Sequence, residues 1–160
     1  VGRAGYETVA EMNADADLKA RLERLRIACG HAMGLGDVTD KNYPKMTLIA
    51  PPRAGGSLAT RSFIPHVCHD AIGVLAAVTV GTACVLEGSV CDGIAAVPAG
   101  RVKAVSVEHP TGELSDAHEV DPANRQNVSL AALLLTYMVL RVRNRGEGGS
   151  ALDDLAGVEM

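Results

Sequence analysis

The stretch Ala71–Leu86 contains no charged side chain, and Pro65-His66-Val67-Cys68-His69-Asp70 runs directly into it. As a helix at roughly 1.5 Å per residue it would extend about 24 Å. A membrane-spanning helix needs about 20 apolar residues, and Gly73, Thr79, Gly81 and Thr82 interrupt this run. A helix apolar on every side belongs in the middle of a fold, wrapped by other elements. Gly73, Ala76, Ala77, Gly81 and Ala83 would let strands or a second helix approach its axis. The pattern predicts a central buried helix over Asp70–Leu86, with two imidazoles, a thiol and a carboxylate at its start. Free backbone N–H groups at such an end favour negative charge and suit a carboxylate ligand. The same residues also fit a plain polar cap on a core helix.

The core has to form almost without rings, because Phe63, Tyr6, Tyr43 and Tyr137 are the only aromatic side chains besides histidine. Leu, Val, Ile, Ala and Met must fill it, which implies closely spaced elements. The length suits one domain. A formal charge of −4 without a dense basic patch argues against a nucleic-acid partner, and Arg141, Arg143 and Arg145 read as a solvated helix end. Cys29, Cys68, Cys84 and Cys91 have neither zinc-knuckle spacing nor the density of a disulfide scaffold. No basic segment followed by a short apolar stretch opens the chain, so the expectation is a cytoplasmic protein with no membrane partner. Val1-Gly2 without an initiating methionine reads as the start of a piece of a longer protein.

Leu18, Leu22, Leu25, Cys29 and Ala32 recur at helical spacing, which predicts a helix over Asp15–Met33 with Asn13 or Asp15 as N-cap and Gly34 as its end. Met46–Ala50 and Ser57–Ile64 read as strands joined by a Pro/Gly loop. Val102–Val107 and Leu114–Val120 are further strands, separated by the turn His109-Pro110-Thr111-Gly112. Val128–Val142 fits a helix through its leucines and alanines, although its end would also fit a strand. The whole reads as a single α+β domain over 1–145 with a flexible tail over 146–160.

Several polar residues suit a small anion if the strand ends converge on the central helix. Lys45 precedes the first strand, Arg61 and Ser62 end the second, and His66, Cys68 and His69 follow. Arginine grips a carboxylate with two prongs, and helix N–H groups add directed donors. His69 and Cys68 are the candidate catalytic groups, because an imidazole or thiolate beside a carboxylate can move a proton. Lys45, Arg61, Ser62, His66, His109 and Thr111 are the candidate substrate-binding set. Each also has a plainer reading: Cys68 as an inert buried thiol, His69 as part of a cap, Arg61 as an edge-strand surface residue and His109 as a brace for Pro110. His31 and His118 read as solvated or structural. His66 and His69 lack convincing further ligands, so no metal is expected. There is no nucleophile elbow, phosphate loop or dinucleotide fingerprint.

Six blocks also resemble a known family. They are Met33-Gly34-Leu35-Gly36-Asp37-Val38, Pro44-Lys45-Met46, Ile49-Ala50-Pro51-Pro52-Arg53, Arg61-Ser62-Phe63-Ile64-Pro65-His66, Cys68-His69-Asp70-Ala71-Ile72-Gly73-Val74 and Glu108-His109-Pro110-Thr111-Gly112-Glu113. Together they look like the C-terminal half of the PrpF-like isomerases, which include 4-oxalomesaconate tautomerase and 2-methylaconitate isomerase. The resemblance implies a diaminopimelate-epimerase-like half, a curled mixed sheet around a central buried helix, with the active site in a cleft against a missing N-terminal domain. It implies an enzyme of the intramolecular oxidoreductase type, a tautomerase acting without cofactor on a small unsaturated di- or tricarboxylate, and it is compatible with a homo-oligomer. The family's acid/base lysine and cysteine belong to the other half, and neither Lys45 nor Cys68 matches them. The chain departs from the family at Leu135-Thr136-Tyr137-Met138, which keeps only the threonine of an Arg-Thr-Ala-Arg-like segment, and in its glycine-rich tail. A carboxylate-binding or structural domain without catalysis is the competing expectation.

Overall fold

The computed structural model describes residues 2–124 and 128–134. Its elements run α1 (Val9–Ala14), α2 (Ala16–Ala32), β1 (Met46–Ala50), β2 (Leu58–Phe63), α3 (Val74–Val85), β3 (Val102–His109), β4 (Gly112–Val120) and β5 (Val128–Leu134). Among the described residues this is an α+β arrangement on one mixed sheet of order β1-β2-β3-β4-β5. β2 and β3 are parallel and the other neighbours antiparallel. The parallel pair requires a crossover, and α3 supplies it.

Local chemistry sets the two N-terminal helices. Thr8 opens α1 through a capping box: Glu11 N–H donates to Thr8 Oγ1 at 3.2 Å, and Thr8 N–H donates to the Glu11 carboxylate at 2.7 Å. The hydrophobic pattern alone gives no hint of this short helix. Asp15 is the N-cap of α2, its carboxylate accepting Leu18 N–H at 2.9 Å. Gly34 ends the helix with φ at 72°, a conformation glycine adopts without strain. Met12, Leu18 and Leu22 then pack with Phe63 and Cys68 into one apolar cluster.

The hairpin of β1 and β2 forms as expected, from Met46 opposite Phe63 to Ala50 opposite Ala59. Its Pro/Gly loop is tied to β3 by the buried Glu108, whose carboxylate accepts N–H bonds from Arg53, Ala54 and Gly56 at 2.9, 2.8 and 2.7 Å. Burial would raise that carboxyl's pKa, but the three donors together outweigh it and hold it low. Gly56 is required here, since a Cβ would sit 2.6 Å from the Glu108 side chain.

Three expectations are corrected. α3 begins at Val74 rather than Asp70, with Gly73 as an N-cap that makes no side-chain bond. The preceding segment folds back on β2 instead: Ile64 N–H donates to Val67 O at 3.0 Å, His69 N–H donates to Ser62 O at 2.9 Å, and Phe63 bridges to Cys68. The Asp70 carbonyl, which a helix starting there would give to Val74 N–H, instead accepts from the N–H and hydroxyl of Thr111. Second, α3 buries Ala77, Val80, Gly81, Cys84 and Val85 against Leu58, Val105, Val107, Leu114 and Val120, but Leu75 on its outer side is 82% exposed. The apolar surround is therefore one-sided among the described residues. Third, Val128–Leu134 is a strand, running from Val120 opposite Val128 to Ser115 opposite Leu134. Pairing with the open β4 edge overrides the helical propensity of its leucines and alanines. The rest of that predicted helix and the tail over 146–160 lie outside the described residues.

Candidate functional site

Two chain reversals meet at the backbone carbonyl of Asp70. One is the fold-back after β2, and the other is the Pro110-Thr111 turn that joins β3 to β4. Thr111 donates to Asp70 O through its N–H at 3.2 Å and its hydroxyl at 2.8 Å. The His109 ring bonds to the same carbonyl and lies 3.4 Å from the Thr111 hydroxyl. On the other side Asn13 grips the loop twice, donating from Nδ2 to Cys68 O at 3.2 Å and accepting Cys68 N–H at 2.7 Å. Residues far apart in sequence are thus held as one surface, with the free N–H groups of α3 beginning three residues beyond Asp70.

Arg61 supplies the positive charge. Its Nε donates to Glu7 O at 2.7 Å and its Nη1 to Thr60 O at 2.8 Å, while Nη2 has no partner among the described residues. The guanidinium lies near enough to Cys68 and His109 to act on both. Burial lowers the His109 pKa and Arg61 adds to that, against the opposing Asp70 bond and Glu113, so the imidazole is neutral at neutral pH. Burial raises the Cys68 thiol, Arg61 opposes, and Asp70 adds.

The remaining expectations separate. Cys68 is 2% exposed and packed with Met12, Leu18, Leu22 and Phe63. A neutral thiol in apolar surroundings is a packing residue, so this environment does not favour its expected proton-transfer role. Ser62 is buried with its hydroxyl 3.2 Å from Thr47 Oγ1. His66 is turned toward α2, its Nδ1 3.4 Å from the Glu23 carboxylate. Lys45 is exposed just ahead of β1. The fold-back redirects these three, because it replaces the helix start on which they were expected to converge. His109 and Thr111 gather on the Asp70 carbonyl, Arg61 acts on the adjoining Cys68 and on His109, and the exposed His69 shares that loop. Asn13 and Glu108, which hold the surface in place, carry no sequence signal beyond Glu108 standing next to His109. No group of three or more His, Cys, Asp or Glu able to hold a metal occurs among the described residues.

The arrangement can hold a carboxylate and stabilise an oxyanion, since an arginine amino group and helix N–H groups offer donors and no acidic side chain contacts Arg61 among the described residues. Known proteins carry related sequences and folds. The chain is 54% identical over 136 residues to the (4E)-oxalomesaconate Delta-isomerase of Novosphingobium sp. (strain KA1), covering 85% of this chain and 38% of that protein. It is 50% identical over 115 residues to the 4-oxalomesaconate tautomerase of Pseudomonas putida (strain KT2440), covering 72% and 32% respectively. This chain therefore spans about a third of the length of the curated relatives it matches. In fold it is similar to the crystal structure of methylitaconate-delta-isomerase, with TM-score 0.69, 22% identity, and coverage of 81% of this chain and 37% of that one. The family model described as PrpF protein matches residues 1–141, taking in every element around Asp70, and on that match this chain belongs to the PrpF family.

Proposed function

We propose that this chain is the substrate-holding part of a cofactor-independent isomerase that moves a proton on a small unsaturated polycarboxylic acid. 4-Oxalomesaconate is the foremost substrate, supported by the names of relatives at 54% and 50% identity, and 2-methylaconitate is the alternative. The observation that carries the reading is the joining of the His109–Thr111 turn to the Cys68–Asp70 loop beside an arginine whose Nη2 is free among the described residues. Removing a proton alpha to an activated carbonyl develops charge on oxygen, and preorganised donors lower the barrier to that enolate. Arg61 would clamp a substrate carboxylate, with His69 and the α3 N–H groups completing the anion pocket and Thr111 holding the Asp70 loop in place beside them. Neutral His109 would brace the loop through its one N–H on the Asp70 carbonyl and add no charge of its own.

The abstracting base and returning acid would come from elsewhere in a family-length polypeptide. In this reading the chain is one of two similar diaminopimelate-epimerase-like halves, and the open side of α3 is covered by further chain in the complete protein. A cytoplasmic location suits its free thiols. A domain that only binds carboxylates is the second reading, favoured by Leu135-Thr136-Tyr137-Met138 carrying no basic side chain where the family resemblance implies an Arg-Thr-Ala-Arg-like segment.

The test uses the complete, metal-free polypeptide in deuterated water with each acid, followed by NMR. Product formation with deuterium incorporation, faster for 4-oxalomesaconate, is expected. Binding without turnover or exchange would select the second reading, and activity that requires an added metal or nicotinamide would overturn the cofactor-free mechanism.

A further inference from the structure

The segment from Gly2 to Thr8, ahead of α1, is neither helix nor strand, yet it is fastened along its length. Arg3 pairs with Asp15, the N-cap of α2. Gly5 is buried with φ at 88° and lies so close to the end of β1 that a Cβ on it would stand 2.5 Å from the Ala50 Cβ. Tyr6 donates its hydroxyl to Pro51 O at 2.9 Å, and the Arg53 guanidinium lies over its ring, 3.9 Å from the centroid. Arg53 belongs to the loop that Glu108 holds beside His109. Thr8 closes the segment as the cap of α1. Between these anchors stands Glu7, whose carbonyl accepts the Arg61 Nε–H at 2.7 Å. Its carboxylate is bent back on its own turn, accepting the Ala4 and Gly5 N–H groups at 2.8 and 2.9 Å. Arg61 therefore gains a fixed acceptor from an acidic residue without having its charge neutralised by that residue's carboxylate.

The guanidinium is planar, so fixing two of its nitrogens sets the direction of the third. Nη1 is held by Thr60 O, from the residue beside Arg61 on β2, and Nε by Glu7 O, from the distant segment. We propose that Glu7 is a positioning residue for Arg61: the strap from Arg3 to Thr8 holds the Glu7 carbonyl where it aims the open Nη2 at a substrate carboxylate. The inference rests on the carboxylate-clamping role proposed for Arg61. An arginine ordered before the substrate arrives loses less side-chain freedom on binding, so the strap acts on affinity. It brings no group to the proton transfer.

The experiment is a double-mutant cycle between Glu7→Ala and Arg61→Ala in the complete polypeptide, read by titration calorimetry with a nonreactive analogue of an unsaturated tricarboxylate and by steady-state kinetics with 4-oxalomesaconate. Glu7→Ala leaves the carbonyl in the chain but takes the acceptor from the Ala4 and Gly5 N–H groups and loosens the turn. It should weaken binding about fivefold, the coupling expected within one hydrogen-bond network. KM should rise to match, with kcat within about twofold of wild type, because uniform binding is what is lost. In the Arg61→Ala background Glu7→Ala should have no further effect on affinity. Tyr6→Phe, which removes only the bond to Pro51, should act in the same direction as Glu7→Ala and likewise lose its effect without Arg61. Equal losses from Glu7→Ala with and without Arg61 would show a general loosening of the fold and overturn the proposal. Wild-type affinity in folded Glu7→Ala and Tyr6→Phe proteins, with Arg61→Ala binding weakly, would overturn it while leaving the clamping role of Arg61 intact. Wild-type affinity in Arg61→Ala would instead remove that role, and the positioning of Arg61 with it.

Discussion

Arg26 beneath α2 and the Asp116–His118 pair beneath α3 are all fully buried, yet they are satisfied very differently. Arg26 donates from Nε and Nη2 to Glu23 at 2.7 and 2.8 Å, from Nη1 to Lys41 O and Tyr43 O at 3.1 and 2.7 Å, and from Nη2 to Thr39 O at 3.2 Å. Every N–H of the guanidinium is used. Asp116 and His118 share one bond of 2.9 Å, while Asp116 Oδ2 and His118 Nδ1 have no partner among the described residues. Burial pushes the Asp116 carboxyl up, and His118 pulls it only partly back. The pair fits under α3 only because Gly81 has no side chain, since a Cβ there would lie 2.6 Å from both Asp116 Oδ1 and His118 Nε2. A saturated buried charge organises the 39–43 loop, whereas a half-satisfied pair carries a desolvation cost its single bond does not recover.

The largest effect should follow from emptying the saturated network. Arg26→Met strands Glu23 and three carbonyls, and should lower stability by about 3–5 kcal/mol in urea unfolding. A loss below about 1 kcal/mol would mean that the network is replaceable by water. The other cluster should respond with the opposite sign: the double variant D116V/H118L should be neutral or up to about 4 kcal/mol more stable, while D116V alone destabilises by leaving His118 unpaired. Destabilisation by the double variant similar to that of Arg26→Met would erase the contrast between the clusters.

Gly81→Ala should cost roughly 1–3 kcal/mol by overpacking. In the D116V/H118L background that cost should change, because the clash is with those two side chains, and a double-mutant cycle reads the coupling. Strict additivity would place the crowding elsewhere. The smallest effect concerns His109. Its folded pKa is depressed, so the folded state binds less proton than the unfolded state between the two values. Its stabilising contribution is complete above the unfolded histidine pKa of about 6.5 and declines as pH falls toward the depressed value. His109→Gln should flatten that part of the stability profile, and an unchanged slope would assign it to another group.

How much was legible follows the same division between local and long-range chemistry. The α2 cap at Asp15, both β1/β2 strands and the Pro110-Thr111 turn depend on near neighbours, so residue pattern identifies them. The start of α3 was not legible, because the β2 fold-back that displaces it depends on bonds to Ser62 and on Asn13 from a distant helix. The strand at Val128–Leu134 was hidden for the same reason, since it forms by pairing with β4. In the candidate site, Arg61, His109 and Thr111 were identifiable by type and position. The burial of Cys68 and a structural His118 stood among the plainer readings of the sequence, whereas the turning of His66 toward Glu23 did not, because it depends on a distant helix.

Arg61 stands between the two clusters, with some donors bound to backbone and Nη2 left open among the described residues. In the proposed function this opening receives a substrate carboxylate. Titration calorimetry of the complete polypeptide with a nonreactive analogue of an unsaturated tricarboxylate tests that most directly, comparing wild type with Arg61→Ala after both are shown to be folded. The expected result is a loss of roughly 1.5–3 kcal/mol in affinity, the range for a charge-assisted hydrogen bond. Equal affinities would contradict it and leave Arg61 as a tether for the Glu7 and Thr60 carbonyls.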